Sequence, residues 1–262
     1  MKIDLHVHTS MHSACSRTPP ELQIQAAIDH GLDGIVIADH EVLLSPEERD
    51  VLQAKFPDFL ILRGAEVGVG GEHILFVGGP ARTFHETSAA MARAIARETG
   101  ALTVWNHPFY FAGRIQMDFA EFTPDAVEVA SMEGDKSHFG ETRGLARKHR
   151  MRMVAASDAH DPKYVGIFHV DLDHGIRNEA ELAAEIRAGR FRISGHFDCL
   201  ERRYREMVPE VILAEAVTRE GGTAKEYAER GGNYACVFER IAAGRSYLPN
   251  LEALGLRPAD CL

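Results

Sequence analysis

The stretch Lys2-Ile3-Asp4-Leu5-His6-Val7-His8-Thr9 decides the fold prediction, because it reads as a short apolar strand that ends in two histidines. Side chains two residues apart in a strand point to the same face, so we expect His6 and His8 to face the same side. The same arrangement, a buried apolar run followed by a residue that can bind a metal, recurs along the chain. This recurrence bears on both the fold of the chain and the position of its site.

Seven apolar runs are typical of strands, and most of them alternate with helical patterns. The predicted strands are Ile3–Val7, Gly34–Ala38, Phe59–Val67, His73–Gly78, Leu102–Trp105, Ala126–Ala130 and Met151–Ala156. The third and fourth are joined by the glycine-rich turn Gly68–Gly71. Helices are predicted from the capping-box pattern Thr18–Glu21, from Ser45, at Glu86–Thr99 and at Gly140–His149. The alternation indicates a parallel α/β architecture, closed or doubly wound.

The pattern changes near residue 196. Residues 1–196 are predicted to form the α/β unit, and residues 197–262 a helical C-terminal appendage. Three helices are expected in the appendage, at Glu201–Thr218, Ala224–Arg230 and Tyr234–Ala243. The sequence assigns no function to this part of the chain.

Composition narrows the classes of function. The chain has 262 residues, a formal net charge of -10 and a pI near 5.8. The acidic charge counts against extended nucleic-acid binding, because a duplex favours a basic protein face. A small anionic substrate stays compatible, since bound cations reverse the local charge. The scattered cysteines predict a reduced, cytoplasmic protein, and neither a secretory signal nor a membrane span is evident.

Potential metal ligands follow the predicted strands. In a parallel barrel the carboxyl ends of the strands share one rim, so these side chains are expected to converge there. Imidazoles mixed with carboxylates suit zinc, iron or manganese. The set is too large for one tetrahedral ion and predicts two or three ions that share a bridging carboxylate. Its members are His6, His8, His40, Glu66, His73, His107, Asp158 and His160. His73 begins its strand, which indicates an antiparallel strand or a short hairpin.

Five motifs in this order resemble those of the PHP (polymerase and histidinol phosphatase) family. They are Asp4-Leu5-His6-Val7-His8-Thr9, Ala38-Asp39-His40, Gly64-Ala65-Glu66-Val67, Asn106-His107-Pro108 and Ser157-Asp158-Ala159-His160. The resemblance covers roughly residues 1–175. It implies a distorted seven-stranded (β/α)7 barrel with two or three divalent metals, Mn, Zn or Fe.

The resemblance also implies which residues hold each metal. One metal would take His6, His8, Glu66 and Asp158, and a second would share Glu66 and add His73 and His107. A third would take His40, His160 and one residue from the loop after His8. In that loop this chain departs from the family: His12 is the first candidate for the ligand, and Cys15 is the second.

These residues predict hydrolysis of phosphate esters by water activated between cations. The candidate catalytic residues are His40, His160 and Asp158, with His40 or His160 protonating the leaving oxygen. Arg17, Arg114 and Lys163 follow rim positions and are candidates to hold the phosphate. The expected substrate is a small phosphorylated metabolite or nucleotide.

Three alternatives stay open at this stage. The chain could act as a 5'-3' exonuclease on short oligonucleotides, where Glu201-Arg202-Arg203-Tyr204-Arg205 is the one locally basic run. It could be a metal-binding scaffold without catalysis. It could also be an amidohydrolase, although no lysine is placed to bridge two metals as a carbamate.

Overall fold

A computed structural model describes residues 1–110, 114–132 and 138–244 of the chain. Nine strands form one mixed sheet, and two more form a small separate pair. The strands, in chain order, are β1 (Lys2–Val7), β2 (Gly34–Ile37), β3 (Val42–Leu43), β4 (Leu60–Val69), β5 (Glu72–Val77), β6 (Arg82–Thr83), β7 (Leu102–Trp105), β8 (Ala126–Ala130), β9 (Arg152–Ala155), β10 (Phe168–Leu172) and β11 (Phe191–Gly195). The order across the large sheet is β11-β10-β1-β2-β4-β5-β7-β8-β9.

The seven predicted strands lie side by side in this sheet, from β1 to β9. The expected seven-strand count is nevertheless not confirmed, because β10 and β11 extend the sheet beyond β1 as an antiparallel pair. Both strands alternate apolar with polar residues, as in Phe168-His169-Val170-Asp171-Leu172, and so lack the buried apolar run that marks the others. The sheet is nearly closed: His8 N donates to Ala159 O at 3.0 Å, which joins the end of β1 to the segment after β9.

The hairpin of β4 and β5 confirms the antiparallel alternative for the strand that carries His73. The two-residue turn Gly70-Gly71 links the strands with positive φ angles of 58° and 90°. Two left-handed residues in succession suit glycine, which has no Cβ to clash. The register places Gly68 opposite His73, so the antiparallel strand begins at the same rim at which the parallel strands end.

Five helices accompany the sheet: α1 (Pro20–Asp29), α2 (Pro46–Lys55), α3 (Ala89–Thr99), α4 (Phe139–His149) and α5 (Glu179–Ala188). The predicted capping box at Thr18 is wrong. Pro19 occupies the N-cap position, and the Thr18 hydroxyl instead donates to His160 O at 3.1 Å. The helix that was predicted to start at Ser45 has a full capping box, in which Ser45 and Glu48 each bind the other's backbone amide.

A β-bulge interrupts β1 between the part of the strand that packs in the apolar interior of the barrel and the part that reaches the rim. The pairing of β1 with β2 gains one residue in β1 between Asp4 and Val7. Leu5 packs with the barrel interior on one side of this irregularity, and His6 reaches the carboxylates of the rim on the other. Bulges commonly re-aim side chains beside functional sites. Here the bulge lets an apolar strand deliver two imidazoles to the interior.

The appendage consists of α6 (Phe197–Arg219), α7 (Ala224–Glu229) and α8 (Ala235–Ala242). It has an apolar cluster of its own, formed by Met207, Val211, Ala214, Val217, Tyr227, Val237 and Phe238. It contacts the barrel unit through Glu206, which accepts a hydrogen bond from the Tyr164 hydroxyl. The division into two domains at residue 196 stays a prediction. Among the described residues, no helix has both the length and the apolar character that a bilayer crossing requires.

Candidate metal centre

Glu66, on β4, is the centre of the predicted set of ligands. Its carboxylate is surrounded by five imidazoles, and its side chain is only 1% exposed. Oε2 lies 3.5 Å from His6 Nε2, 3.3 Å from His8 Nε2 and 3.3 Å from His40 Nδ1. Oε1 lies 3.1 Å from His73 Nδ1 and 2.9 Å from His107 Nε2. Each oxygen therefore faces a different group of histidines, as a bridging carboxylate would.

Asp158 faces the same group from the loop after β9. Its Oδ1 is 3.4 Å from His6 Nε2 and 3.2 Å from His8 Nε2. The two Nε2 atoms are themselves 3.0 Å apart. Two imidazole nitrogens and a buried carboxylate oxygen that converge in this way require a proton or a cation between them.

The cluster has a deep part and an outer part. His6, His8, His107 and Asp158 are at most 5% exposed. His40, His73 and His160 lie at the mouth, with side chains 34%, 22% and 35% exposed. A cavity of about 430 Å³ opens onto the outer part, and its walls include Tyr110, Met132 and Tyr164. The inner residues can hold ions away from bulk water while the outer residues meet a ligand.

The electrostatics of the cluster favour a positive charge within it. Burial alone would lower the pKa of His8, but hydrogen bonds to Asp158 and Glu66 outweigh burial and raise it to about 9. The negative charge of Glu66 likewise outweighs burial at His107 and raises its pKa to about 9. The histidines in turn hold the carboxyl pKa values of Glu66 and Asp158 well below their usual range, against the effect of burial. A divalent cation can replace these protons.

The residues present therefore fit a metal centre. Ligand atoms that lie within 4.8 Å of one another occur in three groups: His6, His8 and Asp158; His40, Glu66 and His73; and His8, Cys15 and His40. Imidazole nitrogen and carboxylate oxygen are donors for zinc, iron and manganese alike. The geometry is compatible with metal binding and leaves the number and identity of the ions open.

Two of the candidate ligands lie on strained backbone. His107 and Asp158 have positive φ angles of 25° and 55°, a region that non-glycine residues rarely occupy. Such strain persists where surrounding contacts enforce it, and it concentrates at functional sites. Glu128 supplies one of these contacts, since its Oε2 accepts the His107 backbone amide at 2.8 Å.

Two buried carboxylates, Glu128 and Asp4, support the cluster on the side away from the cavity. Glu128 Oε1 lies 3.4 Å from His6 Nδ1, on the far side of the ring from Glu66. Asp4 accepts the backbone amides of Ser157 at 2.9 Å and Gly166 at 2.8 Å, and burial raises its pKa to about 6. Such partners fix the orientation of ligand loops and rings.

Asp39 is the supporting residue that the sequence reading missed. It accepts the Thr9 amide at 2.6 Å, the Thr9 hydroxyl at 2.7 Å and the His12 amide at 3.1 Å, and so shapes the loop after β1. Its position directly before His40 was the available signal.

Several predicted residues lie away from the cavity. His12 Nε2 is 3.0 Å from Glu48 Oε1 and outside the three ligand groups, whereas Cys15 lines the cavity. Arg17 and Arg114 are exposed, and neither lines the cavity. Lys163 lies 3.6 Å from Glu206 of the appendage and is likewise outside the cavity wall. A role in phosphate binding stays a prediction for these three cations.

The nearly closed α/β sheet carries at its rim a histidine–carboxylate cluster that is compatible with metal binding. Comparisons with known proteins show which family the chain is similar to. The profile of a family described as PHP-associated matches residues 140–191, a span that includes Asp158 and His160. No curated protein matches the chain in sequence.

Solved structures share the fold at low identity. A two-domain protein from Bacteroides vulgatus, described as containing a PHP-like metal-dependent phosphoesterase, is 18% identical with a TM-score of 0.58, over 75% of this chain and 65% of that one. A protein from Bifidobacterium adolescentis, described as a metal-dependent phosphoesterase, is 14% identical with a TM-score of 0.51, over 61% and 88%. A lesion-specific endonuclease from Pyrococcus furiosus is 16% identical with a TM-score of 0.52, over 73% and 57%.

The PHP-associated match and the shared fold support the resemblance of this chain to the PHP domain family. The matched part spans less than two thirds of the Bacteroides and Pyrococcus proteins, whose activities are those of longer chains.

Proposed function

We propose that this protein is a metal-dependent phosphoesterase that hydrolyses a small phosphorylated metabolite or nucleotide. The observation that carries the proposal is the position of Glu66, whose two buried oxygens lie 2.9–3.5 Å from five imidazole nitrogens. A carboxylate with histidines on both oxygens is suited to bridge two divalent cations. When bound, such cations supply Lewis acidity that activates water and offsets charge on phosphoryl oxygens.

The residues at the mouth suggest separate roles in the reaction. Burial lowers the pKa of His40 despite the nearby Glu66, which favours the neutral imidazole that a metal ligand requires. His160 Nδ1 lies 3.0 Å from the backbone oxygen of Asp158, so a proton on Nδ1 leaves Nε2 available on the other side of the ring. We assign His160 rather than His40 as the group that protonates the leaving oxygen. Asp158 would hold a metal ion together with His6 and His8.

The cavity supports a small substrate. Its volume of about 430 Å³ lies at the lower end of the range for small-molecule sites. Among the described residues that line it there is no lysine or arginine. Recognition of a phosphate would therefore depend chiefly on bound cations. A free thiol at Cys15 is consistent with a reducing, cytoplasmic location.

A nuclease activity is the second candidate, and the fold shared with a lesion-specific endonuclease favours it over a non-catalytic scaffold. Arg202 and Arg205, in the basic run of α6, are exposed. The side chains of Glu201, Arg203 and Tyr204 in the same run lie outside the described residues. An acidic chain with a small cavity makes trimming of short oligonucleotides more plausible than cleavage within a duplex.

The test combines metal analysis with two substrates. Purified protein is assayed for bound metal and for hydrolysis of p-nitrophenyl phosphate before chelation, after chelation, and after Mn²⁺ or Zn²⁺ is added back. A mononucleotide and a short single-stranded oligonucleotide are compared in parallel. We expect bound metal, loss of turnover on chelation, recovery with added ions and preference for the mononucleotide.

Preference for the oligonucleotide would favour the nuclease. Folded protein that binds no metal and shows no turnover with added ions would contradict the proposal. Activity that survives in an Asp158→Ala variant would instead favour the scaffold, with the turnover due to a contaminant.

A further inference from the structure

We propose that Cys15 binds the outermost metal ion through its thiolate, which makes that position of the cluster selective for soft ions such as Zn²⁺. The inference rests on the proposed metal-dependent function, because it requires ions in the cluster. The sulfur ligand at the outermost ion would give that position a preference among metals.

The geometry around Cys15 supports this assignment. Ligand atoms of Cys15 and His40 lie within 4.8 Å of each other, in a group that also includes His8. The Cys15 thiol also contacts the side chain of His160. The imidazole rings of His40 and His160 flank that of His8, with centroids 4.7 and 4.5 Å away. The Cys15 sulfur beside the half-exposed imidazole of His40 supplies two donors of the kind that zinc accepts readily.

The loop after β1 holds Cys15 at the cavity and His12 away from it. Asp39 accepts the backbone amide of His12, and the His12 ring reaches Glu48 on α2 at 3.0 Å. Ser13 Oγ accepts the His40 amide at 2.8 Å and lies 3.3 Å from His8 Nδ1, so the residue between the two candidates is tied to the cluster. The loop therefore offers the thiol of Cys15 to the cluster.

Sulfur changes which ion this position prefers. The inner positions offer nitrogen and oxygen, which accept manganese, iron and zinc with less discrimination. A thiolate favours zinc and other soft ions over manganese. The protein is therefore expected to hold different metals at its inner and outer positions when both kinds are supplied.

Cobalt spectroscopy tests the sulfur bond without depending on activity. Metal-free protein is loaded with Co²⁺ under reducing conditions, and the near-ultraviolet region is examined for a sulfur-to-cobalt charge-transfer band. The wild type is compared with Cys15→Ser, Cys15→Asp and the matched control His12→Gln, which changes the other candidate in the same loop. Zn²⁺ and Mn²⁺ contents are measured after loading with an equimolar mixture.

We expect the band in the wild type and in His12→Gln, and its absence in both Cys15 variants. Cys15→Ser should lose Zn²⁺ from one position, and Cys15→Asp should recover an ion there with Mn²⁺ favoured. A band that survives Cys15→Ser, or wild type that binds Co²⁺ without the band, would overturn the sulfur ligand and leave the proposed function intact. Folded wild type that binds no Co²⁺ would overturn both.

Discussion

Glu128 and His6 contact each other behind the cluster, with Oε1 of the carboxylate 3.4 Å from Nδ1 of the ring. Since Nε2 of the same ring faces Glu66 and Asp158, Glu128 fixes the tautomer in which Nε2 is free to bind a metal. The other oxygen of Glu128 accepts the His107 amide, so one carboxylate positions two ligands.

Replacement of Glu128 by glutamine should weaken metal binding without removing a ligand. Loss of such a supporting carboxylate typically reduces metal affinity about 10–100-fold. Competition with a fluorescent chelator measures the change. Glu185→Gln is the control, because Glu185 lies on α5 and pairs with Arg190 at 2.7 Å rather than with a residue of the cluster. Equal affinity in the wild type and Glu128→Gln would show that the contact does not orient His6.

Replacement of Glu66 by glutamine should remove the bridging ligand, and with it at least one bound ion per chain. Turnover should fall by roughly two orders of magnitude or more, since the loss of metal-based charge stabilisation costs several kcal/mol. Elemental analysis and a phosphatase assay measure the two effects.

Glu72→Gln is the matched control for this variant. Glu72 is also buried, on the neighbouring strand β5, but it accepts hydrogen bonds from Trp105 Nε1 at 3.1 Å and Gln116 N at 2.7 Å. The Glu72→Gln variant should therefore retain its bound metal. A Glu66→Gln variant with the metal content of Glu72→Gln would contradict the bridging role.

The metal-free protein should lose stability as the pH rises from about 6.5 to 9. His8 and His107 have pKa values raised to about 9 in the folded protein, whereas an unfolded histidine titrates near 6.5. The two histidines contribute fully to the free energy of unfolding below the pKa of the unfolded state. This contribution is lost as the pH rises through their pKa values in the folded state. Thermal unfolding of chelated protein should show a decrease in Tm of roughly 5 °C or more across this range.

Metal-loaded protein serves as the reference for the pH series. There the cations replace the protons between the carboxylates and imidazoles, so the decline over the same range should be much smaller. A chelated protein whose Tm rises between pH 6.5 and 9 would contradict the assigned charge state.

The contact between Arg240 and Tyr110 should affect substrate affinity. The Arg240 guanidinium carbon lies 5.2 Å from the centroid of the Tyr110 ring, and that ring lies 5.1 Å from the His107 ring at the cavity wall. Arg240→Leu should raise KM several-fold and leave kcat within about threefold, because a contact of this kind contributes about 0.5–2 kcal/mol.

Arg230→Leu is the control for the appendage. Arg230 is exposed and paired with Glu220 at 2.7 Å. If Arg240→Leu and Arg230→Leu gave the same KM as the wild type, α8 would have no role at the cavity. A fall in kcat alone would point to the chemical step instead.

The sequence predicted the inner strands because they are short apolar runs, and most of these runs are followed by a residue with metal-binding chemistry. It could not predict β10 and β11, whose alternating polar residues resemble loop sequence until β1 and its neighbours provide an edge to pair with. Thr18 matched a capping box locally, but the oxygen of His160, 142 positions along the chain, takes its hydroxyl. Long-range partners of this kind are absent from a local pattern.

The site was predicted less completely than the strands. His6 and His8 were expected to face the same side, but the bulge that turns them into the interior depends on the pairing of β1 with β2. The sequence favoured His12 over Cys15 as the ligand from the loop after His8, but in the structure the His12 ring contacts Glu48 and Cys15 lines the cavity. The partners of Asp39 and Glu128 come from segments distant in sequence, so their roles became visible only with the fold.

The hairpin of β4 and β5 also constrains how the chain length can vary. His73 reaches Glu66 because the turn Gly70-Gly71 fixes the register of the two strands. Since strand side chains alternate faces, a one-residue insertion in this turn would point His73 away from the cluster and bring Glu72 or Ile74 toward it. Relatives that keep this metal position should therefore vary in turn composition but not in turn length, which makes a gap at this turn in an alignment a sign of a lost ligand.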